Sequence, residues 1–263
     1  KMTSNILFDL PEYSEEADNL INLLPIEYKI NILIDLSKYL ENTSIYKIIL
    51  PIIIQYVKPN FKTKEKLKYA VNEWCKDREN AIKKYGHIKL WSTKDITDMK
   101  QLFYCKRSFN DDITFWDTSN VTSMYCMFQN AKRFNQPLNW DTKNVADMSE
   151  MFRGAKLFNQ FLNWDTSNVK DMSYMFANTA SFNQPLNWDT SNVINMSGMF
   201  YYTDEFNQPL NFTSTKNVIN MSYMFCNSKS FDQPFNLNTS KVTNMNDIFY
   251  KAKKFNKTNK KNL

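Results

Sequence analysis

Residues able to carry acid–base, nucleophilic or metal chemistry are few in this sequence of 263 residues. The one histidine, His87, follows Gly86 at the end of an expected helix, which favours a packing or helix-end role. That context argues against the Ser-His-Asp and His-metal arrangements of enzymes. The four cysteines lack CxxC spacing, so reduced and partly buried thiols are expected instead of a zinc site. These cysteines are Cys75, Cys105, Cys126 and Cys226.

Four aspartates recur at a spacing of 24 residues, and a calcium ladder is one interpretation of them. They are Asp117, Asp141, Asp165 and Asp189. The glycine-rich spacing of calcium-binding repeats is missing, so capping of turns by the carboxylates is favoured. Carboxylates in identical surroundings also lack the separated pKa values that acid–base catalysis needs. We therefore expect neither an enzyme nor a cofactor or metal site.

Charge and hydropathy restrict the partners. The formal net charge is +6, but six lysines and no acidic residue lie in the last thirteen residues. A solvated basic tail explains this better than a nucleic-acid-binding arm, so nucleic acid is disfavoured as a partner. The most apolar run, residues 48–54, is far shorter than the roughly 20 residues that span a bilayer. No membrane span is expected, and a protein partner of unknown identity remains.

A repeat of 24 or 25 residues dominates the rest of the chain. The tryptophans define it, at steps of 25, 24, 24 and 24 residues, and Phe212 and Leu237 continue their series. The tryptophans are Trp91, Trp116, Trp140, Trp164 and Trp188. Valine, methionine and two phenylalanines keep the same register in each unit, as in "VKDMSYMFANTASFNQPLNW". Seven units of one module predict a solenoid whose copies stack on one another.

Each unit contains three recognisable parts. The stretch ending in "MSYMF" suggests a short extended segment that pairs in parallel with its copies. A small residue three places after the phenylalanine suggests a tight turn, and "FNQPLNWDTSNV" turns the chain back. Recurring asparagines, Asn135, Asn159, Asn183 and Asn207, predict a side-chain ladder that satisfies backbone groups. The expected fold class is therefore α+β, an N-terminal helical module followed by a leucine-rich-repeat-like solenoid with one short parallel strand per repeat.

The repeat pattern "FNQPLNWDTSNVxxMSxMF" closely resembles the BspA-like leucine-rich-repeat family over about residues 64–256. Members of that family are known from bacteria, protists and large DNA viruses. The resemblance implies adhesion or protein recognition and no catalytic activity inherent in the repeat. Read from Met2, the N-terminus shows neither the basic region nor the apolar core of a signal peptide. We therefore expect a cytoplasmic or host-cell intracellular protein, with a place in the virion as a second option.

The region before the repeats is expected to be helical. Residues 64–85 show an amphipathic stripe with Thr63 as N-cap and Gly86 as the stop, typical of a helix that caps the first repeat. The predicted domains are a helical module at 1–61, the capping helix at 62–90, seven repeats at 91–256 and a basic tail at 257–263. Within the first, "LLPIEYKINILIDL" distantly resembles an F-box, and a plain helical cap is the alternative.

One position in each "MSxMF" stretch does not repeat, and alternation along an extended segment would point it outward. The seven residues are Gln101, Cys126, Glu150, Tyr174, Gly198, Tyr223 and Asp247. The candidates for partner binding among them are Gln101, Glu150, Tyr174, Tyr223 and Asp247. The last repeat has only a lysine-rich tail after Phe255, so exposed apolar surface and end-to-end self-association are expected there.

Three functions follow as expectations. The first is an intracellular scaffold or adaptor that binds proteins through its repeats, with a large DNA virus as one expected source. The second is a surface or virion-exposed adhesin of the BspA-like type. The third is a substrate-recognition subunit that acts through an F-box-like N-terminus. The sequons at Asn195 and Asn220 favour the first, because a glycan beside core methionines would obstruct stacking.

Overall fold

The computed structural model describes residues 59–255, which belong to the second of the two units into which the chain divides, Pro59–Leu263. The predicted helical module, its F-box-like segment and the basic tail lie outside the described residues. The described residues comprise the capping region and the seven repeats.

Helix α1 spans Lys64–Lys76 and helix α2 spans Arg78–Tyr85. The sequence predicted one helix here, but Asp77 is extended and interrupts it, with φ −148° and ψ 92°. The Asp77 carboxylate accepts from the backbone N–H of Asn80 and so caps the start of α2. The predicted ends are confirmed, since the Thr63 hydroxyl accepts from Lys66 N–H and Gly86 ends α2 at φ 66°. A 3₁₀ helix, Ile88–Leu90, leads into the first repeat.

The expected fold class is wrong, because the described residues lack the predicted parallel β-strands. Within residues 59–255 the repeats contain no β-strand, and the solenoid with one parallel strand per repeat does not form. Neighbouring repeats share a parallel bridge instead, at the same position of each repeat, and one further bridge joins Leu186 to Leu210. The recurring bridges join Asp98, Ser123, Asp147, Asp171, Asn195, Asn220 and Asn244 in succession. Most of each repeat consists of turns and irregular backbone.

Left-handed residues explain why the segment is not extended. Every repeat has two residues with positive φ, four positions apart, such as Tyr174 at 53° and Asn178 at 57°. The residue after Tyr174 closes a tight turn, because Met175 N–H donates to the Met172 carbonyl. Positive φ at two of the seven residues 172–178 bends the chain twice within a short stretch. The side chains therefore cannot alternate as they do in a strand.

Backbone hydrogen bonds still join the repeats, most of them through the same segment. In each of the first six repeats four N–H groups donate to carbonyls of the next repeat, at N···O distances of 2.7–3.0 Å, and other N–H groups, such as those of Lys170 and Ser181, donate to the preceding repeat. In the fourth repeat the donors are Met172, Tyr174, Phe176 and Asn178. The residues between them donate within their own turns. This division satisfies the backbone without a β-sheet.

The interior is built from stacked copies of the same aromatic residues. Phe176 lies 5.7 Å from Phe152 and 5.9 Å from Phe200 between ring centroids, and 3.9 Å from Phe182 of its own repeat. Its side chain is fully buried. Five of the six small residues predicted after this phenylalanine are also buried, and Ala252 in the last repeat is half-buried. The five buried ones are Ala131, Ala155, Thr179, Thr203 and Ser228.

The predicted asparagine ladder is confirmed at the polar turn. Each side-chain oxygen accepts from the backbone N–H of the equivalent residue one repeat later, as Asn135 does from Asn159 at 2.9 Å. The same bond recurs between Asn159 and Asn183 and between Asn183 and Asn207. These asparagines are half-buried. These side-chain bonds hold the turns in register beside backbone bonds such as the one that Leu157 N–H donates to the Lys132 carbonyl.

The two ends of the stack differ. Helix α1 buries Leu67, Val71 and Trp74 in the core of the first repeat, and Lys64 forms an ion pair with Asp98 at 2.8 Å. In the last described repeat Met245 and Phe255 are only partly buried. This partial burial agrees with the apolar exposure expected for the last repeat, and the end-to-end self-association expected there stays a prediction.

Candidate protein-interaction surface

The seven non-repeating positions form one row across the repeats, which we call row A. Every member has positive φ, between 53° and 58°. The row is continuous because the N–H of each member, Asp247 excepted, donates to the carbonyl of the residue before the next member, as Tyr174 does to Ser197 at 2.8 Å. Row A comprises Gln101, Cys126, Glu150, Tyr174, Gly198, Tyr223 and Asp247.

Exposure along row A is uneven, which corrects the expectation that alternation points every member outward. Gln101, Tyr223 and Asp247 are exposed, and Glu150 and Tyr174 are half-buried. Cys126 and Gly198 are buried. The members lie in left-handed turns, and their side chains cover one another along the row. The predicted partner-binding residues therefore share one surface, but only part of it faces solvent freely.

Tyr174 lies at the centre of row A and has specific contacts on both sides. A Cβ atom placed on Gly198 would lie 2.3 Å from Cε1 of Tyr174, so the ring occupies the space that the glycine leaves. The Arg153 guanidinium carbon lies 5.7 Å from the centroid of the same ring, within the range of a cation–π contact. Arg153 also pairs with Glu150 at 2.7 Å. These contacts hold the tyrosine in one orientation.

Three further tyrosines surround this centre. The ring of Tyr201 meets Tyr174 edge-on at 6.2 Å and Tyr202 at 4.7 Å. Tyr202 and Tyr223 are about two-fifths exposed, at 41% and 38%. Burial raises the pKa of Tyr174 and of Tyr201 above the ordinary value for a phenol. Both hydroxyls therefore stay protonated and able to donate at neutral pH.

A second left-handed row lies four residues after row A, and sequence reasoning missed it. This row B comprises Cys105, Asn130, Gly154, Asn178, Tyr202, Asn227 and Lys251. A signal was present, because asparagine or glycine fills four of its seven positions and both residues tolerate positive φ. The two rows border an open polar groove of about 550 Å³, lined among others by Glu150, Arg153, Lys132 and Lys156.

The other residues with chemical potential have structural roles. His87 packs edge-on against Trp74 at 5.2 Å, its Nδ1 accepts from Lys89 N–H, and burial lowers its pKa. This confirms the predicted packing and helix-end role. Burial raises the pKa of Cys75 and Cys126 to about 11, so both remain thiols at neutral pH. All four cysteines are free, although Cys105 is exposed where a partly buried thiol was expected.

The recurring aspartates cap turns, as predicted. Asp117 accepts from the N–H of Ser119, and Asp165 accepts from the N–H of Ser167, each at 3.0 Å. Asp141 and Asp189 make the same bond to the residue two places on. In the part of the chain that the structure describes, no group of three or more His, Cys, Asp or Glu residues is placed to hold a metal ion.

Comparison with known protein families places the repeats. A family described as "Mycoplasma protein of unknown function, DUF285" matches residues 69–186 and 161–262. The chain belongs to this family. The match is consistent with the BspA-like repeat pattern of the sequence, whereas the F-box-like resemblance finds no support. No curated protein and no solved structure gives a significant match.

The DUF285 family has no assigned function, so a function for this chain has to be inferred from the residues on its surface. Between residues 59 and 255 no helix combines the length and apolar character that crossing a membrane requires.

Proposed function

We propose that the repeat stack is a non-enzymatic protein-binding scaffold or adaptor, and that row A with its neighbouring tyrosines and Arg153 forms the binding surface. The observation that carries this proposal is the residue types of row A. Left-handed backbone costs an ordinary residue roughly 1–2 kcal/mol, and the cost is highest for bulky side chains. Row A nevertheless has five non-glycine residues with positive φ that are not of the types that favour it: Gln101, Cys126, Glu150, Tyr174 and Tyr223.

Glycine at one member shows that the fold itself does not need these side chains. Gly198 has the same φ and the same hydrogen bond to the next repeat as Tyr174 and Tyr223. Row B, with the same conformation, has asparagine or glycine in four repeats of seven. Strained backbone that persists with large side chains is typical of functional sites. Tyrosine and arginine are also the residues most enriched at the energetic centres of protein interfaces.

An intracellular location is part of the proposal, supported by the sequons. The Asn195 side chain accepts from Ser197 N–H at 3.0 Å and donates to Asp171 at 3.2 Å. The Asn220 side chain accepts from Ser222 N–H. A glycan on either amide nitrogen would crowd the junction of two repeats, so a compartment without N-glycosylation suits the stack better.

The test compares partners captured by the full chain with those captured by a double variant. Tyr174→Asn with Tyr223→Asn removes two rings and leaves a residue that tolerates positive φ. Quantitative pull-down should show at least tenfold weaker binding of a partner, and the melting temperature should change little.

Phe161→Pro is the matched control. Phe161 is 53% exposed and lies in the polar turn, where four other repeats have proline: Pro137, Pro185, Pro209 and Pro234. The control should capture the same partners as the wild type. Undiminished capture by the double tyrosine variant would contradict row A as the binding surface.

A further inference from the structure

The last described repeat presents backbone N–H groups on its outer face that donate to none of the residues 59–255. In six earlier repeats four N–H groups donate to the following repeat. Their equivalents in the last repeat include Met245, Asp247 and Lys251, and no described residue accepts a hydrogen bond from these three. Asp247 and Lys251 have φ of 55° and 56°, the conformation in which neighbouring N–H groups turn toward one side. We call this surface the end face.

Apolar side chains border the same donors. Val242, Met245 and Phe255 are only partly buried, whereas their equivalents one repeat earlier are fully buried. Those equivalents are Val218, Met221 and Phe231. A segment that covered the end face would therefore bury apolar surface as well as accept hydrogen bonds.

The charge around the end face is positive. Residues 240–255 contain four lysines and one aspartate, a net charge of +3. The lysines are exposed: Lys241, Lys251, Lys253 and Lys254. This surface would repel another basic segment and attract an acidic one.

A second copy of the chain is a poor match for the end face. Two end faces placed together would bring the N–H groups of Met245, Asp247 and Lys251 against their own copies and lysines against lysines, although the Thr243 carbonyl, whose equivalents accept from the next repeat, offers one acceptor. The opposite end of the stack would offer carbonyls, but helix α1 packs against the first repeat and Lys64 is tied to Asp98 there. The occupant must therefore supply free backbone carbonyls from another source.

We propose that the end face binds an acidic segment of another protein, which adds one rung to the stack. Its backbone carbonyls accept from the N–H groups of Met245, Asp247 and Lys251. Its apolar side chains cover Val242 and Phe255, and its carboxylates face the lysines. This site lies apart from the central tyrosines and does not depend on the function proposed for row A.

The probe is a synthetic peptide with the sequence of residues 164–187 and the change Lys170→Glu, which gives it a net charge of −3. In the stack these residues already supply four carbonyls to the preceding repeat, from Asp171, Ser173, Met175 and Ala177. The peptide is titrated into the ¹⁵N-labelled full chain. The amides of Met245, Asp247 and Lys251 should shift and exchange more slowly with solvent. The unchanged peptide, with a net charge of −1, should bind at least fivefold more weakly.

Charge reversal on the protein tests the same contact from the other side. The triple variant Lys251→Glu, Lys253→Glu and Lys254→Glu should weaken binding of the −3 peptide at least tenfold. A matched triple far from the end face, Lys66→Glu, Lys94→Glu and Lys170→Glu, at three exposed lysines, should leave it unchanged.

Five results would overturn the proposal. The first is that the three amides do not respond at millimolar peptide, and the second is that the peptide shifts the amides of Tyr174 and Tyr223 instead. The third is that the Lys251–Lys254 reversals leave the affinity unaltered. The fourth is protection of the three amides in a monomer without peptide, which would mean that residues of the chain itself cover the face. The fifth is a dimer in sedimentation with the same protection, which would mean that the occupant is a second copy.

Discussion

The phenylalanine interior and row A lie in the same short segment of each repeat, yet they follow opposite rules. Phe176 and its equivalents are identical in all seven repeats, fully buried in six of them and stacked in near-parallel rings. Two residues before each of them, row A changes residue type at almost every repeat. Two positions that are two residues apart therefore differ: packing determines the residue type at the phenylalanine position, and the residue type varies at the row A position.

Row B more often has residues that suit a left-handed position. Asn130, Gly154, Asn178 and Asn227 suit positive φ, whereas the remaining members of row B are a cysteine, a tyrosine and a lysine. Row A has the same φ, and Gly198 is its one member of a type that suits positive φ well, apart from Asp247. Large side chains present against a conformational preference are what the binding surface proposed for row A would require.

Truncation of the interior should have the largest effect. Phe176→Ala removes a ring that four other aromatic rings contact, so unfolding free energy should fall by about 3–5 kcal/mol. Chemical denaturation measures this. Lys170→Ala, at an exposed side chain of the same repeat, is the control and should change stability by less than about 0.5 kcal/mol. A loss below about 1 kcal/mol for Phe176→Ala would mean that the interior is misassigned.

A methyl group on Gly198 should have an intermediate effect. Gly198→Ala adds a Cβ that collides with the Tyr174 ring and also strains a left-handed residue, so a loss of about 1–2 kcal/mol is expected. In the double variant with Tyr174→Asn the collision disappears and only the strain remains. A double-mutant cycle should therefore give a coupling of at least about 0.5 kcal/mol. Strict additivity would show that the ring does not occupy the space above Gly198.

A change in row B should have the smallest effect, and of opposite sign. Tyr202→Asn introduces the residue that three other repeats have at this position, so stability should rise by about 0.5 kcal/mol. The gain is small because the edge contact with Tyr201 is lost. Thermal unfolding of this variant beside Asn178→Tyr, which should lose stability, measures the difference. A gain for both variants would remove the contrast between the two rows.

Much of the repeat stack could be predicted from the sequence. The 24-residue register determines which side chains meet, because identical residues stack on one another, and so the buried phenylalanines and the asparagine ladder were both accessible. The helix ends were accessible too, since Thr63 and Gly86 are typical capping residues. Asp77 was missed as a break because its capping of Asn80 is a local bond within a continuous apolar stripe.

The strand was wrongly predicted because the residue types of row A do not indicate that φ is positive there. A stretch such as "MSYMF" has tyrosine and methionine where a strand would accept them, and neither residue indicates a left-handed turn. The asparagines of row B did carry that signal. The same error affected the surface, since the seven residues do form one row, but turns and neighbouring rings decide which of them face solvent.

The spacing of the repeats has a consequence for how such a chain can change length. From Val169 to Phe182 and in every equivalent stretch the count of residues is constant. The two units of 25 residues have their extra residue in the polar turns, between Phe109 and Trp116 and between Phe212 and Val218. Deletion of residues 164–187 would join Asn163 to Trp188 and leave the interior continuous. Duplication or loss of one repeat unit in the gene can thus add or remove one member of row A. The buried packing between the remaining repeats stays the same.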